Sequence, residues 1–331
     1  MNSSAPQITI RDLCSIDDLN QLRAVEKAVW GMADDDAIPL TLAIALKAAG
    51  NVFLGAFDSH KSNSNMSNND RSGADKSGKD RHRDDRHRDK EEKEKMVGFA
   101  FGFLGREHDE TTFHSHMLAV LEAYRHLDLG KRLKLAQRER ALAMGVREMT
   151  WTFDPLQSRN AHFNFAKLGV LSDTYKVDFY GPETSSMLHR NGTDRLWVRW
   201  LLDSPRVRDH IAGVDRSRGA GKDQRGEALD ALRLLAPLVR FNGNGHPERA
   251  DLSESLSRQR VSIEIPGDIL AVEQADMGLA RAWREATRWA FCETLKAGFV
   301  VAEYCRSVRG QQGPGAYLLL RGAVRDLAGE P

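Results

Sequence analysis

Cysteine is scarce in this sequence, and the three present, Cys14, Cys292 and Cys305, are placed so that they cannot act together. They are odd in number and far apart, with no Cys-x-x-Cys pair and no histidine at metal-ligand spacing, so they outline neither a disulfide framework nor a zinc site. We read them as free thiols in a reducing compartment. An excess of one charge is also lacking: 48 Lys and Arg stand against 47 Asp and Glu, a formal net charge of +1 at pH 7. Without a cationic surplus, neither nucleic acid nor an anionic membrane is the expected partner, and a small-molecule role is the better expectation. No apolar run is long enough to span a bilayer, and the opening MNSSAPQITIRDL lacks the basic-then-apolar order of a secretory leader. The expected location is the cytoplasm.

What is present suffices for a sizeable core: 331 residues, 41% hydrophobic and 29% charged, with length favouring about two domains. Gln7 to Asp12 alternates as a strand does, and Ser15 followed three residues later by Asp18 offers a capping-box start to a helix closed by Gly31. Pro39 opens a second helix, closed by Gly50. Asn51 to Phe57 and Met96 to Leu104 read as an antiparallel pair rich in β-formers. Between them, residues 60–95 hold almost no large apolar side chain and pass into dense alternating charge, the signature of a disordered insertion in a hairpin loop. Strands then follow at Thr111 to Leu121, Val146 to Phe153, Thr174 to Tyr180 and Arg195 to Leu202, with helices at Gly130 to Met144 and Ser158 to Leu168.

This order predicts an α/β core over residues 1–203, a mixed and mostly antiparallel sheet flanked by helices. Residues 204–258 read as a linker region with a short helix near Leu229 to Val239. Residues 259–331 read as a smaller C-terminal α/β extension with a long helix from Glu273 to Ala297. On that helix Trp283, Arg284, Arg288 and Trp289 recur on successive turns. They offer a packing face, a cover for a pocket or the surface of a homodimer.

The most informative stretch is Thr112 to Gly145, where a strand, a short basic turn and a helix follow without a break. Unpaired amides at a helix N-terminus and the helix dipole favour an anion there, and Arg125, Lys131 and Arg132 add charge. A diphosphate laid against Arg125, His126, Leu127, Asp128, Leu129, Gly130 and Lys131 would meet donors and cations together, as the charged half of a nucleotide-like cofactor requires.

Leu118-Ala119-Val120 followed by Arg125-His-Leu-Asp-Leu-Gly130 resembles the strand end and Arg/Gln-x-x-Gly-x-Gly/Ala turn of the GCN5-related N-acetyltransferase (GNAT) superfamily, with Asp128 in place of the first glycine. The segment Met149 to Gly169 resembles a branch of predicted GNAT acyltransferases that carry a C-terminal extension like Val261 to Arg321. The resemblance implies the GNAT fold, an acetyl-CoA or other acyl-CoA co-substrate, and acyl transfer to a primary amine, succinyl being a candidate donor group and amino acids candidate acceptors. It also implies that the strand ending at Val120 splays from its neighbour, so that Leu118, Ala119 and Val120 bind the pantetheine arm; plain strand core is the other reading of these three. A non-catalytic acyl-CoA sensor or interaction module of the same fold is the alternative function.

Aminolysis of a thioester needs a neutral amine, whereas a lysine-like amine has a reference pKa of about 10.4, so some group must take a proton. His114 and His116 lie two apart on a strand, on one face with Leu118 by simple alternation, and lead to the place the thioester would occupy. The order His-x-His-x-Leu-Ala-Val resembles the arylalkylamine N-acetyltransferases, which implies a proton path through the two histidines; two partly buried, hydrogen-bonded histidines are the other reading. Asn160 is a candidate for orienting pantetheine amides. Many GNAT enzymes carry a tyrosine acid four residues before the closing glycine of the helix after the fifth strand, where this sequence has Phe165. No metal ligand set is expected.

Overall fold

The structure is a computed structural model, and it describes residues 6–31, 37–59, 94–107, 109–181, 190–212, 230, 232–309 and 313–329. Of the charged insertion expected at 60–95, residues 60–93 lie outside the described residues. Among the described residues no helix is long and apolar enough to cross a membrane.

The chain opens with β1 (Ile8–Asp12), α1 (Ile16–Trp30), α2 (Leu40–Ala48), β2 (Val52–Asp58), β3 (Lys95–Glu107) and β4 (Glu110–Val120). The capping box forms as its spacing predicts: Ser15 Oγ accepts from the Asp18 amide at 3.0 Å, and the Asp18 carboxylate accepts from the Ser15 amide at 3.2 Å. A 3-10 turn (Glu122–Leu127) leads into α3 (Leu129–Ala143), β5 (Glu148–Phe153) and α4 (Ser158–Ala161), which widens directly into a π-helical stretch, His162–Leu168. β6 (Leu171–Lys176) begins three residues earlier than its sequence pattern suggested and pairs with β7 (Arg195–Leu201).

The stretch 204–258 is not simply a linker. Pro205–Ala212 forms α5, whose Val207 is buried, and β8 (Val239–Phe241), β9 (Pro247–Arg249) and α6 (Leu252–Leu256) precede β10 (Arg260–Ile265). Of the short helix expected near Leu229 to Val239, residues 229 and 231 lie outside the described residues, residues 230 and 232–234 are helical, and Val239 already starts β8. The long helix expected from Glu273 is two helices, α7 (Ile269–Ala275) and α8 (Met277–Lys296). Asp276 is extended at φ −154° and caps α8 by accepting from the Leu279 amide, so the chain turns there. β11 (Phe299–Cys305), β12 (Gly315–Arg321) and α9 (Val324–Ala328) complete the chain.

All twelve strands join one sheet in the order β1-β2-β3-β4-β5-β7-β6-β11-β12-β10-β8-β9. Every neighbouring pair is antiparallel except β4 with β5 and β10 with β8. The C-terminal extension therefore continues the core sheet through β6 and β11, where Val301 pairs with Ser172. Two apolar layers sandwich it. On one face Leu19, Leu22 and Val25 of α1 pack on Phe53, Phe57, Phe99 and Phe101. On the other, α3, α4 and α8 bury Leu133, Phe165, Trp283 and Phe291 against β5, β7 and the extension strands. Full burial of each such side chain contributes about 1.5–3 kcal/mol, which fixes the helices on their faces.

Candidate active site

β4 and β5 run together and then part. Their ladder holds only Phe113↔Met149 and His114↔Thr150, so the segment from Ser115 to Val120 has β3 on one side and a gap on the other. Backbone groups along that edge are left for another partner. At the apex the β3 register shifts: Phe101 faces Met117, Gly102 faces Ser115, and His116 is the extra residue of a bulge. Gly102 is required there, because a Cβ on it would fall 2.4 Å from the Phe113 ring and 2.6 Å from the His114 carbonyl oxygen.

The bulge corrects the simple alternation read from sequence. His114 and His116 share the face that holds Phe101 and Phe103, with ring centroids 5.5–5.8 Å apart in the three contacts between those pairs. Leu118 lies on the opposite face, where its Cδ2 would be 3.7 Å from a Cβ on Gly130 of α3. Ala119 packs with the α1 layer and Val120 with the α3 layer. The two imidazoles thus sit on one side of the gap while Leu118 and the α3 N-terminus sit on the other.

His114 stacks on Trp197 of β7 at 4.9 Å, and its Nδ1 is 3.1 Å from Thr150 Oγ1. Burial, then the neighbouring His116 and Lys134, push its pKa down to about 4. His116 is exposed at the surface of the gap, and desolvation lowers it as well. Both rings are neutral near pH 7, the state in which imidazole can accept a proton.

At the other end of β4 lies the turn expected to seat an anion. Asp128 takes a left-handed conformation, φ 53°, the backbone state for which glycine is usual and Asp tolerated. Its carboxylate does not stand alone, since Lys167 Nζ is 2.8 Å from Oδ1. Leu129 and Gly130 lead α3, so their amides have no intrahelical acceptor, while the Lys131 and Arg132 amides close on the Asp128 carbonyl. Arg125 is exposed and its Nε donates to the Val120 carbonyl at 3.3 Å, tying the turn to the strand end. Tyr124 anchors the same turn to Asp58 at 2.8 Å. His126 is exposed, Leu127 and Lys131 are half-buried, and Leu129 is fully buried and serves through its backbone. Arg132 is spent elsewhere, donating to the Ile8 carbonyl at 3.0 Å.

On α4, Asn160 is exposed, whereas Asn164 is buried and accepts from Trp151 Nε1 at 3.2 Å. Phe165 is wholly buried, edge-on to Phe153 and to Tyr317 of the extension. The aromatic ring of the π-helical stretch that reaches the α3 N-terminus is Phe163, 3.8 Å from a Cβ placed on Gly130. Tyr175 is committed to Asp194 at 2.7 Å and stacked on Phe291. Trp283, Arg284 and Arg288 face inward: Arg284 grips Asp154 at 2.7 and 2.8 Å, and Arg288 reaches Asp194 at 2.7 Å, so the two arginines join extension to core.

Sequence reading missed Ser115, Lys134, Gln137, Thr150 and Trp197. Lys134 and Gln137 had a signal, because they fall at i+1 and i+4 from Leu133, on the stripe that ends at Ala141.

No family model matches the sequence, and no curated protein matches it. Solved structures do resemble it. An acetyltransferase of the GNAT family from Streptococcus pneumoniae is 14% identical, with 58% of this chain and 98% of that one covered and a TM-score of 0.39. The ribosomal-protein-S18-alanine N-acetyltransferase of Escherichia coli is 15% identical over 59% of this chain and 94% of its own, with a TM-score of 0.38. A Salmonella typhimurium protein described as an acetyltransferase, solved with its cofactor acetyl-CoA, is 15% identical over 59% and 94%, with a TM-score of 0.39. These solved structures are acetyltransferases, one of them of the GNAT family, and each resembles this chain at low identity and over part of its length.

Proposed function

We propose that this protein is an acyl-CoA-dependent N-acyltransferase that moves an acetyl or longer acyl group, succinyl included, to the primary amine of a small molecule such as an amino acid. The observation that carries the reading is the gap between β4 and β5, which begins at two neutral histidines and runs beside the N-terminus of α3.

Acyl-CoA supplies the activated carbonyl. The chain's residues fit it: the Leu129 and Gly130 amides, with Arg125 and Lys131, suit a diphosphate, and Lys167 offsets the one carboxylate in the seat. The free edge of β4 suits the amides of a pantetheine arm, with Asn160 a further donor and acceptor. Backbone N–H groups held rigidly along that edge would meet the thioester oxygen as charge builds on it. In the tautomer whose Nδ1–H donates to Thr150 Oγ1, the basic atom of His114 is Nε2, and the exposed His116 is the group that takes the proton from the amine. The open ring face of Phe103, His114 and Trp197 beside the gap suits the acceptor molecule.

The test is calorimetric titration with CoA, acetyl-CoA and succinyl-CoA, followed by thiol-release assays over a panel of amino acids and amines. We expect Arg125→Ala to weaken thioester binding and His116→Ala to cut turnover while sparing it. Absence of binding in the wild type would overturn the reading. Binding without turnover on any amine or peptide would make the protein an acyl-CoA-binding module.

A further inference from the structure

Lys134 is the one lysine of α3 turned into the sheet, and it is only 3% exposed. Its ammonium nitrogen lies 2.7 Å from Ser115 Oγ and 3.6 Å from the centre of the Trp151 ring. Ser115 is the first residue of β4 past the last pair with β5, and Trp151 is the first of β5. The nitrogen therefore sits between the two strands at the point where they part. Among the described residues no carboxylate reaches it. Ser115 in turn donates to Gln137 Oε1 at 2.8 Å, and Gln137 Nε2 is buried without an acceptor, so two donors converge on a wedge with a single hydroxyl to share.

A buried amine without a counter-ion is costly to keep charged and gains little structurally from its one neutral hydrogen bond. The wedge is also where the sulfur of a thioester would lie if the pantetheine arm runs along the free edge of β4, and Phe165, locked in the core, has no proton to give. We propose that Lys134 protonates the departing sulfur of the thioester. This rests on the acyltransferase reading above. The amine nitrogen bonds to the thioester carbon, the carbon–sulfur bond breaks with its electron pair on sulfur, and Lys134 Nζ delivers a proton there. The proton lost by the amine goes to His116, so the products are an amide and a free thiol, and solvent returns the proton from histidine to lysine. The ammonium form of Lys134 is the donor, and an amine that surrenders its proton readily is a stronger acid toward the sulfur than an ordinary lysine. Burial indeed holds it well below the usual lysine range. The groups packed around it are Ser115 on β4, Gln137 on its own helix, Trp151 on β5 and, across the sheet, His114.

The experiment reads the sulfur directly. The thiol of CoA bound to the full-length protein is titrated by its thiolate ultraviolet absorbance, in the wild type, in Lys134→Met and in Ser115→Ala. If Lys134 exchanges a proton with the sulfur, it takes up the proton of the bound thiol, and thiolate should appear about 1–3 pH units lower than for free CoA in the wild type and in Ser115→Ala. In Lys134→Met the thiol should return to the free value while CoA still binds. A wild-type bound thiol that titrates like free CoA overturns the proposal with no variant needed, and so does a lowered value that survives Lys134→Met. Failure of CoA to bind the wild type would instead overturn the acyltransferase reading.

Discussion

Two regions of this molecule handle buried charge in opposite ways. At the seam between core and extension three arginines are held by counter-charges. Arg284 chelates Asp154 and donates Nε to the Asn191 carbonyl, Arg288 joins Asp194 and Asp178, and Arg206 joins Glu303 while donating to the Gly169 carbonyl. At the parting of β4 and β5 the titratable groups are Lys134, His114 and His116, none with a carboxylate beside it among the described residues. Paired charges resist changes of protonation and so suit a joint. Unpaired ones are held close to losing or refusing a proton, and so suit proton transfer.

Breaking the seam should give the largest effect. Arg284 is nearly fully buried, and removing it leaves Asp154 with a single amide, that of Leu156, as partner. Arg284→Met should cost about 3–5 kcal/mol in urea unfolding, and pairing it with Asp154→Leu should recover part of the loss. If Arg284→Met alone is neutral, the seam is not held by its ion pairs. Lys134→Met should have the opposite sign. It removes an uncompensated amine and leaves Ser115 its bond to Gln137, so we expect stabilisation of about 1–3 kcal/mol. Destabilisation would mean that Lys134 is structural and would erase the contrast between the two regions.

The proton-poor histidines sharpen the comparison through pH. The folded-state pKa of His114, about 4, lies below the reference value of 6.5. The unfolded chain thus takes up its proton first as pH falls, so stability is lost between roughly pH 6.5 and 4, and His114 contributes no slope above that window. The urea midpoint of His114→Gln should fall less than that of wild type between pH 7 and pH 5. Equal slopes would place the acid sensitivity elsewhere.

Features set by neighbouring residues were readable in the sequence. The capping box of Ser15 and Asp18, the closing glycines at Gly31 and Gly169 in left-handed conformation, and the strand–turn–helix around Asp128 all form where spacing puts them. Features set by a partner far along the chain were not. The bulge at His116 depends on Gly102 across the ladder, and no local pattern announces it, yet it decides that Leu118 and the histidines face opposite ways. Arg284 and Asp154 are 130 residues apart, so the helix stripe of α8 showed a face without showing what it meets. The π-helical turn after Ala161 likewise shifts which aromatic ring reaches α3, and periodicity of 3.6 could not reveal that.

The smallest effect expected is the most discriminating for the anion seat. Asp128 brings a negative charge to the place proposed for a diphosphate, and Lys167 neutralises it through an exposed contact of 2.8 Å. As an ion pair it is worth at most about 1 kcal/mol to the fold, so its removal should scarcely move the unfolding curve. Its effect on an anionic ligand is different, because Lys167→Met leaves the carboxylate facing the diphosphate at close range. We expect CoA affinity to fall by up to about tenfold, with a loss that shrinks as salt rises. Asp128→Gly removes the charge and also relieves the left-handed backbone, so it should bind CoA at least as well as wild type. In that background Lys167→Met should no longer matter. A lysine whose loss costs the same affinity with and without Asp128 would be acting on the ligand itself, and the seat would then be built from one more cation than the α3 N-terminus, Arg125 and Lys131 provide.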